Sequence, residues 1–144
     1  MSPPKPLLGP AIGLCAWTLV MEVWMYAIRL PAYRKYKVDM SDPRKVSQEL
    51  KKVPPHIFYA GENFTHLMEQ PTTFFAILWV LHALNATDAA TVALAWMYVA
   101  LRVAHSLVQA TFNQIDLRFK VFAASGMVLA MLTGRAAMAH VSQA

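Results

Sequence analysis

Long apolar segments alternate with short polar ones along this chain and predict a bundle of four helices. The apolar segments run over about 7–30, 56–84, 89–112 and 121–139. At 1.5 Å per residue, each can cross a hydrocarbon core of about 30 Å. The link Asn85 to Asp88 is very short, so the second and third segments must be antiparallel neighbours. Pro71 is expected to kink the second segment. The pattern therefore predicts an all-α, multi-pass membrane protein with one domain over residues 1–144.

The composition favours the same class of protein. Apolar residues make up 57% and charged residues 15% of the chain, against roughly 45–50% and 25% in soluble proteins. A core of this size cannot bury the apolar excess, so lipid must cover part of it. The single cysteine, Cys15, excludes an intrachain disulfide and a thiol-based metal site. The chain shows no targeting signal, which suits a bacterial inner membrane.

Positive charge is concentrated between the first two apolar segments, and this sets the expected topology. The loop between Pro31 and Pro54 carries these basic residues: Arg34, Lys35, Lys37, Arg44, Lys45, Lys51 and Lys52. Such a run could bind nucleic acid. Its apolar flanks favour instead a cytoplasmic loop placed by the positive-inside rule, with no nucleic acid as partner. A second loop, predicted from Asn113 to Lys120, would then lie on the same side.

Polar residues within the predicted spans share helix faces at 100° per residue. The second segment aligns Glu62, Asn63, His66, Glu69, Gln70 and Thr73. The third aligns Tyr98, Arg102, Ser106, Gln109 and Asn113, with His105 on the border. The first aligns Thr18, Glu22, Tyr26, Arg29 and Tyr33. Ionisable groups inside a membrane are functional candidates, so three such faces predict a polar interior, or a cleft between subunits, that binds a ligand. Ion pairs between helices, such as Glu69 with Arg102, are the structural alternative.

Other site chemistries are weakly supported. His66 and Glu69 have the spacing of half a di-iron motif, but the third segment offers His105 with no acid near it. Ser106 adjoins His105 but points about 100° away on a helix, and no acid is placed to orient that histidine. The chain also lacks a phosphate-binding glycine loop. The residues thus predict no metal site and no catalytic triad.

Two runs resemble a known family. The segment from Glu62 to Pro71, followed by Phe74-Phe75-Ala76, resembles the second helix of the MAPEG family, the membrane-associated proteins in eicosanoid and glutathione metabolism. The segment from Ala95 to Ser106 resembles the third helix of that family more closely. Arg118 follows at about the spacing of the family's catalytic arginine. The four-helix plan and the basic loop agree, so the resemblance covers nearly the whole chain.

The resemblance implies a homotrimer with active sites between protomers, open to the cytoplasm, and glutathione as co-substrate. It implies that Arg118 is catalytic and stabilises the thiolate. It also implies a glutathione-binding set that comprises Glu69, His66, Arg102, Gln109, Ser106 and Arg34, with Arg29 as the alternative to Arg34. Arginine suits the two carboxylates of glutathione as a forked donor. A cation near the sulfur favours the thiolate, which is the nucleophile.

The predicted function is a membrane-bound glutathione transferase or peroxidase. Its second substrates would be small apolar electrophiles or lipid hydroperoxides that enter from the surrounding membrane lipids. The chain departs from the eicosanoid-making members, because Glu62 stands near an arginine position and Gln109 at a tyrosine position. His66 stands where the family usually has asparagine. These departures argue against an eicosanoid synthase. Glu62 and His66 also support one alternative, a non-catalytic subunit that serves as a lipid-binding or accessory membrane component.

Overall fold

The computed structural model describes residues 5–143, and its regular elements are all helices. In chain order they are α1 (Leu8–Lys35), α2 (Val46–Glu49), α3 (Tyr59–Glu69), α4 (Pro71–Ala83), α5 (Ala89–Ala110) and α6 (Ile115–Val141). Two short 3-10 turns, Leu50–Lys52 and Pro55–Phe58, complete the basic loop between α1 and α3. By length and composition α1, α5 and α6 can each cross a membrane.

The second predicted segment is broken where the sequence indicated. Helix α3 ends at Glu69 and α4 begins at Pro71, because proline has no N–H and its ring conflicts with the preceding turn. The two halves together run antiparallel to α1 over most of its length. Arg29 of α1 packs on Phe58 at one end, and Leu8 lies beside His82 at the other. Together, α3 and α4 are therefore similar in length to α1.

The structure corrects two predicted boundaries. Helix α6 begins at Ile115, so the residues predicted as a loop up to Lys120 are helical. Hydropathy does not detect this first turn because it is charged, yet an ion pair between Lys120 and Asp116 spans one helical turn there. Helix α1 continues to Lys35, since basic residues favour a helix C-terminus. Beyond the C-cap Tyr36, Lys37 has a φ of 49°, in the left-handed region that commonly follows a helix C-terminus.

Helix α5 is the central element of the bundle and packs against α1, α3 and α6. The core consists of apolar side chains from α1, α3, α4, α5 and α6. The following large ones are fully buried: Leu14, Met21, Phe74, Leu81 and Leu132. Outward-facing positions such as Leu19, Trp79 and Met131 are apolar but exposed in the protomer. Exposed apolar side chains in the middle of long helices indicate a surface that contacts lipid.

The turn between α4 and α5 is tied to the end of α6. Asp88 caps α5 by accepting from the backbone N–H of Thr91 at 2.8 Å, and it pairs with Arg135. These hydrogen bonds, with a smaller contribution from the guanidinium, lower the pKa of the Asp88 carboxyl. Gln143 also donates to the carbonyl oxygen of Leu84 at 2.7 Å. This end of the bundle is therefore closed by polar contacts and lies opposite the basic loop.

Candidate functional site

The polar face of α5 lies in the interior of the protomer. Four of its members have at most 1% of their surface exposed, namely Tyr98, Arg102, Ser106 and Gln109. His105 is 3% exposed. Buried polar groups persist only where they are hydrogen-bonded or where a function requires them. The partners of each side chain therefore decide what it does.

Arg102 stabilises the break between α3 and α4. Its guanidinium donates to the side-chain oxygen of Gln70 at 2.9 Å and to the carbonyl oxygen of His66 at 3.1 Å. It also lies 5.6 Å from the centre of the Phe122 ring. The last carbonyl groups of a helix carry partial negative charge and lack helical partners, so a cation there is favourable. Arg102 thus faces the end of α3 and is not among the residues that line the cleft described below.

The structure does not form the ion pair between Glu69 and Arg102 that the structural alternative gave as its example. The Glu69 carboxylate instead lies 3.3 Å from Nδ1 of His66, and its side chain is 63% exposed. The two residues are three positions apart, so they share one face of α3. Arg102 is left with amide and carbonyl partners, and its Nε has no hydrogen-bond partner within residues 5–143.

A second buried network joins α3 to α5. The side-chain nitrogen of Asn63 donates to the side-chain oxygen of Gln109 at 3.0 Å and lies 3.4 Å from Nδ1 of His105. Asn63 is fully buried. Ser106 donates within its own helix, to the carbonyl oxygen of Arg102 at 2.9 Å. Gln109 and Ser106 therefore lie behind the wall of the cleft rather than on its surface.

The cleft itself opens beside these networks, at the end of the bundle that carries the basic loop. It has a volume of about 230 Å³ and is lined by His66, His105, Ile115, Arg118, Phe119 and Phe122. Four of these residues come from the first two turns of α6, at spacings of three and four that place them on one face. Ile115 and Phe119 fall in the predicted loop and are absent from the predicted site, although their helical spacing with Phe122 indicates a shared face.

Arg118 is the permanently charged group of the cleft. It lies in the first turns of α6, where it donates to the side-chain oxygen of Asn113 at 2.8 Å. The nearby acid, Asp116, pairs with Lys120 instead. The guanidinium therefore has a neutral partner and remains available to an anion. Two imidazoles, those of His66 and His105, line the same cleft, with their ring centres 6.3 Å apart.

The polar face of α1 does not join this cleft within one protomer. Thr18 and Glu22 line a mostly apolar groove of about 480 Å³ between α1 and the α3–α4 pair. Arg29 lies against Gly61 and over the Phe58 ring. Arg34 lines a separate groove on the outer surface of α1. The structure thus brings together two of the three predicted faces, and the third lies apart from them.

Metal chemistry finds no support in the part of the chain that the structure covers. No group of three or more histidine, cysteine or acidic side chains there could hold a metal ion. His66 and Glu69 pair with each other, and His105 contributes no neighbouring acid. The chemistry of the cleft is therefore that of a guanidinium, two imidazoles and an apolar wall.

These features define an integral membrane protein, with three long apolar helices and a polar site at one end. The MAPEG family model matches residues 7–138, and the chain belongs to that family. Comparisons with curated proteins and with solved structures gave no match. Family membership suggests a function of the membrane glutathione transferase or eicosanoid type.

Proposed function

We propose that this protein is a membrane glutathione transferase that also reduces lipid hydroperoxides. One observation carries the proposal. The cleft contains the guanidinium of Arg118, which is hydrogen-bonded to a neutral amide rather than to a carboxylate. It also contains two imidazoles and three apolar side chains, Ile115, Phe119 and Phe122. Such a site can hold an anion next to an apolar molecule. The conjugation of a thiolate to an apolar electrophile needs that combination.

Arg118 would stabilise the sulfur as thiolate. A free thiol has a pKa of about 8.5, so only a few per cent is ionised at neutral pH. A neighbouring cation lowers such a pKa by roughly one to three units, and each unit corresponds to about 1.4 kcal/mol. In transfer, the sulfur would form a bond to the electrophilic carbon while the leaving group departs with its electron pair. In peroxide reduction, two thiols would yield one disulfide, one alcohol and one water.

The remaining contacts to glutathione would require a second protomer. Glu69 and His66 lie at the edge of the cleft, whereas Arg102, Ser106 and Gln109 support it from behind. Arg34 would come from a neighbour, because it lies on a different surface of its own protomer. Helices α3 and α4 also expose a polar face that lipid cannot solvate. It is formed by Glu62, Thr65 and Glu69 of α3 and by Thr72 and Thr73 of α4. Both features support a homotrimer in which neighbouring copies cover this face.

We place the protein in a bacterial inner membrane, with the cleft toward the cytoplasm. The cleft lies at the same end as the basic loop, and the positive-inside rule puts that loop in the cytoplasm. Glutathione would then enter from the aqueous side and the apolar substrate from the lipid. The apolar outer surfaces of α1, α4 and α6 leave the side of the bundle open to lipid-soluble molecules.

The test is ultraviolet difference absorbance of glutathione bound to the detergent-solubilised protein, recorded across pH. Wild type should hold thiolate at neutral pH. The Arg118→Leu variant should shift thiol ionisation up by roughly one to three pH units and should lose conjugation of a standard electrophile. Lys120→Leu is the matched control, since Lys120 lies in the same turn, pairs with Asp116 and does not line the cleft.

The proposal fails if Arg118→Leu ionises the thiol and conjugates at the wild-type rate. It also fails if wild type neither retains glutathione nor conjugates it. The second result would point to the non-catalytic alternative, a lipid-binding or accessory subunit with the same fold.

A further inference from the structure

His105 lies between the cleft and the buried network behind it. Its ring lines the cleft, yet only 3% of the residue is exposed. The Nδ1 side of the ring faces the amide nitrogen of Asn63 at 3.4 Å. The ring therefore has one nitrogen turned to the interior, and the opposite nitrogen, Nε2, is left for the cleft.

The donor in this contact decides where the ring proton lies. An amide NH₂ group can only donate. The Asn63 nitrogen has two protons, and the structure directs one to Gln109 at 3.0 Å and the other to His105. Nδ1 of His105 must then accept, so a neutral ring carries its proton on Nε2.

We propose that Asn63, held in orientation by Gln109, fixes His105 as the Nε2–H tautomer and thereby makes it a hydrogen-bond donor to an anion in the cleft. Asn63 and Gln109 are positioning residues in this proposal, because neither lines the cleft. The tautomer follows from the orientation of the Asn63 amide, whose nitrogen faces both Gln109 and His105. The nature of the anion, the thiolate or a carboxylate of glutathione, rests on the proposed function.

The burial of the two amides supports a positioning role. Asn63 is fully buried and Gln109 is 1% exposed. Within the described residues, the Asn63 oxygen and the Gln109 nitrogen have no hydrogen-bond partner. A buried polar group without a partner is destabilising, so two apolar side chains would pack here at lower cost. Unlike apolar residues, the two amides can fix the tautomer of His105.

The second imidazole of the cleft has the opposite arrangement. Nδ1 of His66 faces the Glu69 carboxylate at 3.3 Å, and a carboxylate accepts. The Glu69 carboxylate favours a proton on Nδ1 of His66, whereas the Asn63 NH₂ group disfavours one on Nδ1 of His105. The two rings are not equivalent, and His105 joins Arg118 as a donor aimed at the same space. Preorganised donors that converge on one point are the usual means of stabilising an anion.

The tautomer can be read directly by nitrogen NMR of the full-length protein, labelled with ¹⁵N-histidine, in detergent. The chain has five histidines, and His105→Gln assigns the relevant signal. Wild type should show a protonated Nε2 and a bare Nδ1 at His105. Asn63→Asp replaces the donor by an acceptor of the same shape, so Nδ1 should become protonated. Asn85→Asp, in the turn at the far end of the bundle, should leave the signal unchanged.

Glutathione affinity supplies the second readout. Asn63→Asp should weaken binding about tenfold, which is the effect of losing one hydrogen bond to a charged group. If Asn63→Asp does not fold, Gln109→Leu removes the acceptor that orients Asn63 and should give a mixture of both tautomers.

A wild-type ring that is protonated at Nδ1, or a spectrum that neither variant alters, would overturn the proposal. Equal glutathione affinity despite a changed tautomer would overturn the donor role. If wild type does not bind glutathione but shows the expected tautomer, the proposed function fails and the positioning role of Asn63 stands.

Discussion

Arg102→Met tests whether the buried guanidinium holds α3 to α4 or only adds an unpaired charge to the core. Methionine keeps roughly the length of the side chain and removes the charge and the donors. The side-chain oxygen of Gln70 and the carbonyl oxygen of His66 then lose their donors. The hydroxyl of Ser125 remains near Gln70 at 3.5 Å, which is too long to replace the guanidinium.

Two opposing effects set the size of the change. Interhelical hydrogen bonds in membrane proteins average about 0.6 kcal/mol, and charged donors are roughly twice as strong. The two acceptors left bare lose a further 1–3 kcal/mol or so each. Burying the guanidinium costs several kcal/mol of desolvation free energy, and the methionine variant does not have this cost. In wild type, the end of α3 and the Phe122 ring already offset part of the cost, so the variant gains less than the full amount. The net loss should be about 2 kcal/mol, a factor of roughly 30 in the unfolding equilibrium.

The assay is reversible unfolding of the detergent-solubilised protein in sodium dodecyl sulfate, followed by circular dichroism. Gln70→Leu alone should also destabilise, and the double variant should recover about half of the summed loss, because one orphaned acceptor has been removed. Arg44→Met, in the exposed basic loop, is the matched control. Strictly additive effects of Arg102→Met and Gln70→Leu, or a stable Arg102→Met, would refute the role assigned to Arg102.

Three further predictions concern the interface of α1 with α3, the far end of the bundle, and assembly. Gly61→Ala would place a Cβ where the Arg29 guanidinium lies and would displace that group from the Phe58 ring. It should therefore destabilise wild type but stabilise an Arg29→Ala background by up to about 1 kcal/mol, as measured by the same unfolding assay. The pKa of the Asp88 carboxyl is lowered below its ordinary value of 3.8 by hydrogen bonds from Thr91 and by Arg135. The carboxylate should therefore stabilise the fold above that pH, and this stabilisation should be lost as the pH falls. In thermal unfolding, the melting temperature of Asp88→Asn should depend less on pH in the acid range than that of wild type. Native mass spectrometry in mild detergent should show a trimer, and a stable monomer would contradict the covered polar face of α3.

The helices could be predicted because their signals are local. Apolar length gave the spans, Pro71 marked the break, and the short link after α4 required antiparallel neighbours. The start of α6 could not be obtained in this way. Its first turn is charged, and a hydropathy window treats charge as loop. Helical periodicity shows instead that Ile115, Arg118 and Phe122 share a face, and that face forms one wall of the cleft.

The partners of the polar side chains were harder to predict than their helix faces. A helical arc shows which residues point together, but not how the helix is rotated in the bundle. Arg102 and His105 are three residues apart on α5, yet one contacts the end of α3 and the other lines the cleft. Glu69, which the structural alternative paired with Arg102, lies in the last turn of α3 and points outward. Arg102 is buried and Glu69 is exposed, so the two side chains do not meet. Burial of this kind depends on tertiary packing, which a helical arc does not show.

The same reasoning changes how the departures from the eicosanoid-making relatives should be weighed. From sequence, Glu62 in place of an arginine and Gln109 in place of a tyrosine both argue against an eicosanoid synthase. In the structure Glu62 is exposed on the outer face of α3 and does not line the cleft of its own protomer. Gln109 is turned inward and orients Asn63. Neither residue opposes an anion beside Arg118. We infer that His105, oriented by Asn63, supplies a hydrogen-bond donor beside Arg118.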